Sequence, residues 1–507
     1  MWESLLSGFL NALQPAHLLI LFLAIVLGFF GGAMPGISGA TLILILLPVT
    51  YGMDPVPVFL LLTAIYAATA YSGSVSAILY RIPGTPEAIA TVFDGNAMAK
   101  QGKVGEAMGL SMMSSAIGGI IGACFLFLLA PPLAGFALQF SSPEYFALGV
   151  LGLTVVASLS GKDIVKGLLG VLFGLFLSTV GIDTITGTDR FTFGSTQLRS
   201  GLDLVSILIG LFAISEVLNM SRLNNRSGKQ EESVKVSTNL FVGKILKKCI
   251  PTIARSSLIG AWTGILPGIG ATTAAVLSYS EEIRWSKHPE KFGTGTPEGI
   301  IAPETANNSA AACSLIPLVS LGIPGSATTA IILGAFVLHG LQPGPMFMEQ
   351  QSVLVYTIFA GLFLLHFMML LFAKPFISMF SLTTKIPYAI LAPLIIVFCF
   401  IGTYAVRNSM FDVWAMMAFG LIGYFFEKIR FPIATIVLGV VLGPLVEEEF
   451  RRSMILSQGD FMIFLTKPIS LILLILAAAA LLMPAIKRLF SNKLSKNKSE
   501  HMGRSMG

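Results

Sequence analysis

Asn307-Asn308-Ser309 lies next to the apolar run that starts at Ala310, and two adjacent carboxamides are costly to bury. The other candidates for chemistry gather around four Pro-Gly pairs. Ser38 and Thr41 follow Pro35-Gly36, and Ser72 and Ser74 precede Pro83-Gly84-Thr85. Thr272 and Thr273 follow Pro267-Gly268, and Ser326 and Thr328 follow Pro324-Gly325. Hydroxyls, carboxamides and freed backbone carbonyls are hard neutral ligands. They suit Na⁺, and the hydroxyls and amides can donate to carboxylate oxygens. Ser and Thr also let helices pack closely and bond to one another. For any single Ser that packing role is the commoner one; for the Asn307-Asn308-Ser309 cluster the cost of burying two adjacent carboxamides favours function. Glu87, Asp94, Glu298 and Glu304 flank the breaks. They read as loop surface, with the tuning of a cation site as their second possible role.

Enzymatic constellations are missing. There is no G-x-x-x-x-G-K-[ST] loop, no H-E-x-x-H pair and no nucleophile elbow. The five His are far apart, and Cys124, Cys249, Cys313 and Cys399 stand singly, as small buried hydrophobes rather than a metal or redox set. The chain is therefore expected not to be an enzyme and to need no cofactor, with Na⁺ as a possible travelling ion.

The elements that must position these residues are membrane helices. Of 507 residues, 54% are hydrophobic and only 11% charged, against about 25% charged in soluble domains. That excludes a cytosolic enzyme, a disordered chain and an ordinary nucleic-acid binder. Apolar runs recur from Leu18–Phe30 to Phe461–Leu482, without the alternation of a β-barrel. The fold class expected is an all-α polytopic membrane protein with about 12 transmembrane segments. The first apolar run lacks a basic start and a cleavage site, so the N-terminus is expected to be retained.

The chain resembles itself. Gly32-Ala-Met-Pro-Gly-Ile-Ser-Gly-Ala-Thr41 recurs as Gly264-Ile-Leu-Pro-Gly-Ile-Gly-Ala-Thr272, Ile82-Pro-Gly-Thr85 as Ile323-Pro-Gly-Ser326, and Ser142-Pro-Glu-Tyr145 as Lys385-Ile-Pro-Tyr388. The order is kept. The organisation read from this is a first repeat over 1–221, a basic linker over 222–248, a second repeat over 249–460, a last helix over 461–486 and a basic tail over 487–507. Seven Lys/Arg between Arg222 and Lys248 face two Glu, and six from Lys487 onward face one. By the positive-inside rule, linker and tail are both cytoplasmic. Without the unmatched last helix, each repeat then crosses an odd number of times, and the repeats are inverted. Glu447-Glu448-Glu449 falls outside on this reading, with Arg451 and Arg452 beside it running against the placement.

A Pro-Gly break frees backbone groups, and in lipid each unsatisfied group costs several kcal/mol, so breaks survive only when buried or lining a polar cavity. Paired breaks at matching places in two repeats are the pattern of secondary transporters, with the site near the midplane. Lys and Arg are scarce in the runs around the breaks; Arg81 sits at a segment end, where snorkelling explains it. An anionic substrate would then need helix dipoles, amide donors and a co-transported cation. The alternative is an anion channel or uniporter without cation coupling.

Longer motifs carry a family likeness: Tyr51-Gly-Met-Asp-Pro-Val-Pro57, Asp94-Gly-Asn-Ala-Met-Ala-Lys-Gln-Gly102, Ser286-Lys-His-Pro-Glu-Lys-Phe-Gly293, Ala302-Pro-Glu-Thr-Ala-Asn-Asn-Ser309 and His339-Gly-Leu-Gln-Pro-Gly-Pro345, with the Pro-Gly segments already quoted. The sequence resembles the large membrane subunit of the bacterial tripartite tricarboxylate transporters over nearly its whole length. The resemblance implies a multi-pass protein of the bacterial inner membrane, partnered by a small membrane subunit and a periplasmic solute-binding protein that delivers a carboxylate. It implies uptake driven by a Na⁺ or H⁺ gradient, and Pro35-Gly36, Pro267-Gly268, Asn307-Asn308 and Pro324-Gly325 as the lining of the transport site. Ser38 stands where the family usually has Gly, and Tyr80-Arg81 where it more often has a small or amide side chain, a change that bears on substrate preference.

Overall fold

The computed structural model describes residues 2–34, 37–159, 164–183, 185–224, 242–372, 375 and 388–482. Pro35, Gly36, most of the basic linker and the basic tail lie outside the described residues. What is described is mainly helical, joined by loops, with a two-residue-per-strand antiparallel hairpin that pairs Gly181 with Arg190 and Ile182 with Asp189. The expectation of an all-α chain holds, the hairpin being too short to change the class.

Among the described residues, five helices are long and apolar enough to cross a bilayer: Pro15–Ala33, Pro55–Tyr80, Val104–Ala137, Ser352–Leu371 and Met410–Lys428. Shorter apolar helices, among them Gly39–Thr50, Ile164–Ser178, Leu204–Asn219, Ala327–Leu338 and Pro468–Leu482, fall below the length a lone span needs. Pro15 and Pro55 open their helices, where a missing N–H is harmless and φ is preset. Arg81 closes the second of these in the left-handed conformation, exposed, as its place at a segment end suggested. The chain is a multi-pass membrane protein.

Met1–Gln139 and Leu202–Ile429 form one compact unit. Its core is a helix crossing that occurs twice. A Cβ on Gly32 of Pro15–Ala33 would lie 2.9 Å from the carbonyl of Thr69 on Pro55–Tyr80, and one on Gly28 would lie 3.3 Å from that of Ile65. On Ile250–Ile265, a Cβ on Gly264 or Gly260 would lie 2.6 or 2.4 Å from the carbonyl of Ala310 or Ala306 on Glu298–Cys313. The same contacts recur 232 residues on in one helix and 241 in the other. Small residues at each crossing let the backbones close together.

The long third helix of each half lies on the other half. Val104–Ala137 packs along Glu298–Cys313, with Gly118 under the Thr305 carbonyl and Gly122 under that of Ser309. Ser352–Leu371 packs on Pro55–Tyr80, with Gly361 against Leu60.

Phe140–Gly201 and Arg430–Gly507 form a second compact unit. There Ile164–Ser178 crosses Ile433–Leu456 at Gly174 and Gly439, each leaving room for the other's backbone. The hairpin is tied to the same long helix by ion pairs from Arg451 to Asp183 at 2.6 Å and from Arg190 to Glu447 at 2.5 Å. Cys249, Cys313 and Cys399 are buried, as expected; Cys124 is exposed, because it falls on the outward face of Val104–Ala137.

Candidate functional site

Two of the helices that follow the breaks start on a capping hydroxyl, at Ser38 and at Ser326. Helix Pro15–Ala33 stops before Pro35, and Gly39–Leu46 starts at Ser38, whose Oγ accepts from the Thr41 N–H at 3.1 Å. After Arg81 the chain turns back, and the N–H of Gly84 donates to the carbonyl of Gly73 at 3.0 Å. A Cβ on Gly84 would sit 2.4 Å from the Gly32 carbonyl, so only glycine fits between the two helices. Thr85 is buried just beyond.

The second half repeats this. Gly268 has φ +81°, which favours glycine, and its N–H donates to the Gly325 carbonyl at 2.9 Å. A Cβ on Gly325 would lie 2.9 Å from the Gly264 carbonyl, matching Gly84 against Gly32. Ser326 and Thr329 form a capping box at the start of Ala327–Leu338, with side chain and backbone bonds of 3.2 and 2.7 Å.

The segments that follow the breaks meet across the halves. Gly39–Leu46 packs against Ala327–Leu338, and the turn Pro86–Ala88 packs against Gly270–Trp285. Tyr66 Oη lies 3.3 Å from Ser326 Oγ. Thr41 and Thr328 are buried, Thr272 is half-buried and Thr273 is exposed. Capped helix N-termini brought together in this way offer partial positive charge to an anion.

Asn307 and Asn308 are completely buried on Glu298–Cys313. Asn308 Nδ2 donates to Asn307 Oδ1 at 2.6 Å and to the Glu304 carbonyl at 3.4 Å, while its own Oδ1 has no partner. A buried carboxamide oxygen left without a donor carries the cost of its lost water unless a ligand supplies the partner. Ser309 and Ser72 donate to the backbone carbonyls of Ser257 and Gly28, each at 2.9 Å, and so bind helix to helix. For Ser72 this is the packing role; Ser309, expected with the Asn pair, makes the same kind of helix-to-helix bond. Ser74 instead donates to Glu304.

Two carboxylates correct the expectation of loop surface. Glu304 is completely buried, one turn before the Asn pair, and takes hydroxyl donors from Ser74, from Thr91 at 2.5 Å and from Ser115 at 2.8 Å. Asp94 is also completely buried. It accepts from the N–H groups of Gly293, Gly295 and Thr296 at 2.8–3.0 Å and from Tyr279 Oη at 2.8 Å. Their acidic type suggested surface; their partners, some 190 to 230 residues away, make them interior. Glu87 and Glu298 are half-buried, Glu298 accepting from the Thr296 hydroxyl at 2.6 Å. A cavity of about 360 Å³ lies beside this loop, lined in part by Ser286, His288, Lys291 and Glu298.

Residues 18–438 match the Tripartite tricarboxylate transporter TctA family. The chain belongs to the TctA family. A 52.8 kDa protein of Agrobacterium vitis, described as uncharacterized and placed in the TAR-I ttuC' 3' region, is 40% identical over 96% of this chain and 97% of its own. A second A. vitis protein, from the TAR-II ttuC' 3' region, is 41% identical over 45% of this chain and 96% of its own. No solved structure matches. As a member of the TctA family the chain is a membrane component of a transporter and not an enzyme.

Proposed function

We propose that this TctA-family chain is the large transmembrane subunit of a secondary transporter in a bacterial inner membrane. It imports a carboxylate, of tricarboxylate or dicarboxylate type, driven by Na⁺ or H⁺. A periplasmic solute-binding protein delivers the carboxylate, and a small membrane subunit completes the complex. About twelve segments, arranged as two inverted repeats, move past each other for alternating access around the Pro-Gly breaks.

The observation that carries this reading is the buried, uncharged Asn307-Asn308 pair with its unpartnered Oδ1, on the helix whose continuation leads into the Pro324-Gly325 break. The matched crossings at Gly32 and Gly264 support the repeats. Arg451 pairs with Asp183 and Glu447, and Arg452 with Glu449 and Glu448, so neither offers free positive charge against an outer placement of Glu447-Glu448-Glu449.

The test is uptake into proteoliposomes holding the chain with its small subunit, supplied with loaded binding protein under imposed Na⁺ or proton gradients. Accumulation that follows one gradient supports the proposal. Transport indifferent to both would turn the reading into a uniporter.

A further inference from the structure

Glu304 is enclosed by donors from three helices that are not its own. Ser74 belongs to Pro55–Tyr80, Thr91 to Thr91–Lys100 and Ser115 to Val104–Ala137. Oε1 receives the first two and Oε2 the third. Every one of these groups is neutral.

The charged groups on the surrounding helices bring Glu304 no ion-pair partner among the described residues. On Thr91–Lys100, Asp94 is held by the Gly293–Thr296 loop. On Ile250–Ile265, Arg255 is paired with Glu282 of Gly270–Trp285 at 2.8 Å. Pro55–Tyr80 also carries the buried Tyr71, and a phenol supplies no positive charge. Val104–Ala137 brings Glu106, in its first turn. The turn Pro86–Ala88 adds Glu87, and Glu304's own helix begins with Glu298. Among the described residues, no Lys, Arg or His forms an ion pair with Glu304.

A carboxylate removed from water costs several kcal/mol even after relaxation, and neutral hydroxyls return only part of it. What this pocket lacks is one positive charge. Its oxygens, from a carboxylate and three hydroxyls, are hard donors suited to a small monovalent cation. Glu304 is three and four residues from Asn307 and Asn308, on one helix face. An anion held at the Asn pair would therefore sit about one helical turn, roughly 5 Å, from a second negative charge. Like-charge repulsion disfavours that state unless Glu304 is neutralised. Linkage then makes the effect mutual: the cation tightens the anion, and the anion tightens the cation.

We propose that Glu304, with the hydroxyls of Ser74, Thr91 and Ser115, binds the single cation that travels with the carboxylate, leaving the Asn pair to the substrate. This inference rests on the transporter reading above. The cation is a proton or Na⁺; in either case it joins a carboxylate oxygen as substrate loads and leaves as substrate departs, with no other bond made or broken.

The experiment uses the complete complex in proteoliposomes, with wild type, E304Q, S74A and S115A compared under a Na⁺ gradient alone and a proton gradient alone. Wild type follows one gradient, which names the ion. In E304Q the ratio of uptake with and without that gradient falls to about one. S74A and S115A keep the charge and raise the half-saturating cation concentration severalfold, which keeps the test open if E304Q does not assemble. A gradient dependence in E304Q equal to wild type, or unchanged cation affinity in both serine variants, overturns the proposal and leaves the transporter reading standing. A wild-type complex that moves no carboxylate under any gradient removes the transporter reading itself.

Discussion

The N–H of Gly268 donates to the carbonyl of Gly325 at 2.9 Å, so the two helix breaks of the second half hold each other directly. In the first half, Gly84 reaches back to Gly73 and lies against Gly32. The breaks are thus fixed features of the packing, and glycine is required where they touch.

Replacing Gly84 by Ala sets a methyl 2.4 Å from the Gly32 carbonyl and 2.6 Å from Ser76 Oγ. Overpacking of this kind costs about 1–3 kcal/mol. Thermal unfolding of the purified complex should show a lowered midpoint, with uptake reduced. An unchanged midpoint would mean the breaks are looser than described.

Asn308→Leu removes the unpartnered Oδ1 together with the bonds from Nδ2. Losing a buried hydrogen-bonding ligand costs about 1–3 kcal/mol of binding, so uptake at low substrate should fall roughly tenfold or more (about 1.4 kcal/mol per factor of ten). Surface expression and assembly should persist. Normal uptake by this variant would remove the Asn pair from the site.

His366 is completely buried, its Nδ1 bonded to the Leu362 carbonyl at 2.7 Å, and a Cβ on Gly119 would fall 1.9 Å from its Nε2. Gly119→Ala should therefore destabilise the protein, and His366→Ala should relieve much of that loss. A double-mutant cycle on unfolding midpoints measures the relief; strict additivity would show that Val104–Ala137 and Ser352–Leu371 do not pack here.

Asp94→Ala leaves the N–H groups of Gly293, Gly295 and Thr296 without their acceptor. Hydrogen exchange at those three amides should speed up by tenfold or more, while exchange within Glu298–Cys313 changes little. Equal protection in both proteins would contradict the contact.

Asp183, on the hairpin outside the membrane helices, is held below the usual carboxylate range, first by the Arg451 side-chain hydrogen bond and then by the Ile185 N–H and the Thr186 hydroxyl. A depressed carboxyl gives stability that is fully present above its unfolded value, about 3.9, and lost as pH falls through the folded one. The stability difference between wild type and Asp183→Asn should be constant through neutral pH and shrink only in strong acid. A difference that disappears near pH 6 would rule out this ion pair as its source.

Much of the scaffold was legible because membrane helices write themselves in long apolar runs and their breaks in Pro-Gly. The doubled Gly32 and Gly264 segments marked the matched helix crossings, and the Asn pair stood out by the cost of burying it. Glu304 was not legible as interior, because nothing local shows that Ser74, Thr91 and Ser115, 189–230 residues away, enclose it. Asp94 was misread for the same reason, its partners lying 185 to 202 residues on. The interlocking of Val104–Ala137 with the opposite half is likewise a tertiary fact, for which small residues such as Gly118 are necessary but not diagnostic. The hairpin at Gly181–Ile182 is too short to leave a periodic trace.

The central claim is that the carboxylate is held where the breaks converge, beside Asn307 and Asn308. A density map of the complete complex with its carboxylate bound measures this most directly. The account predicts substrate within hydrogen-bond reach of the Asn pair and of the capped helix starts at Ser38 or Ser326. Substrate seated elsewhere, with Asn308 Oδ1 satisfied by protein alone, would contradict it.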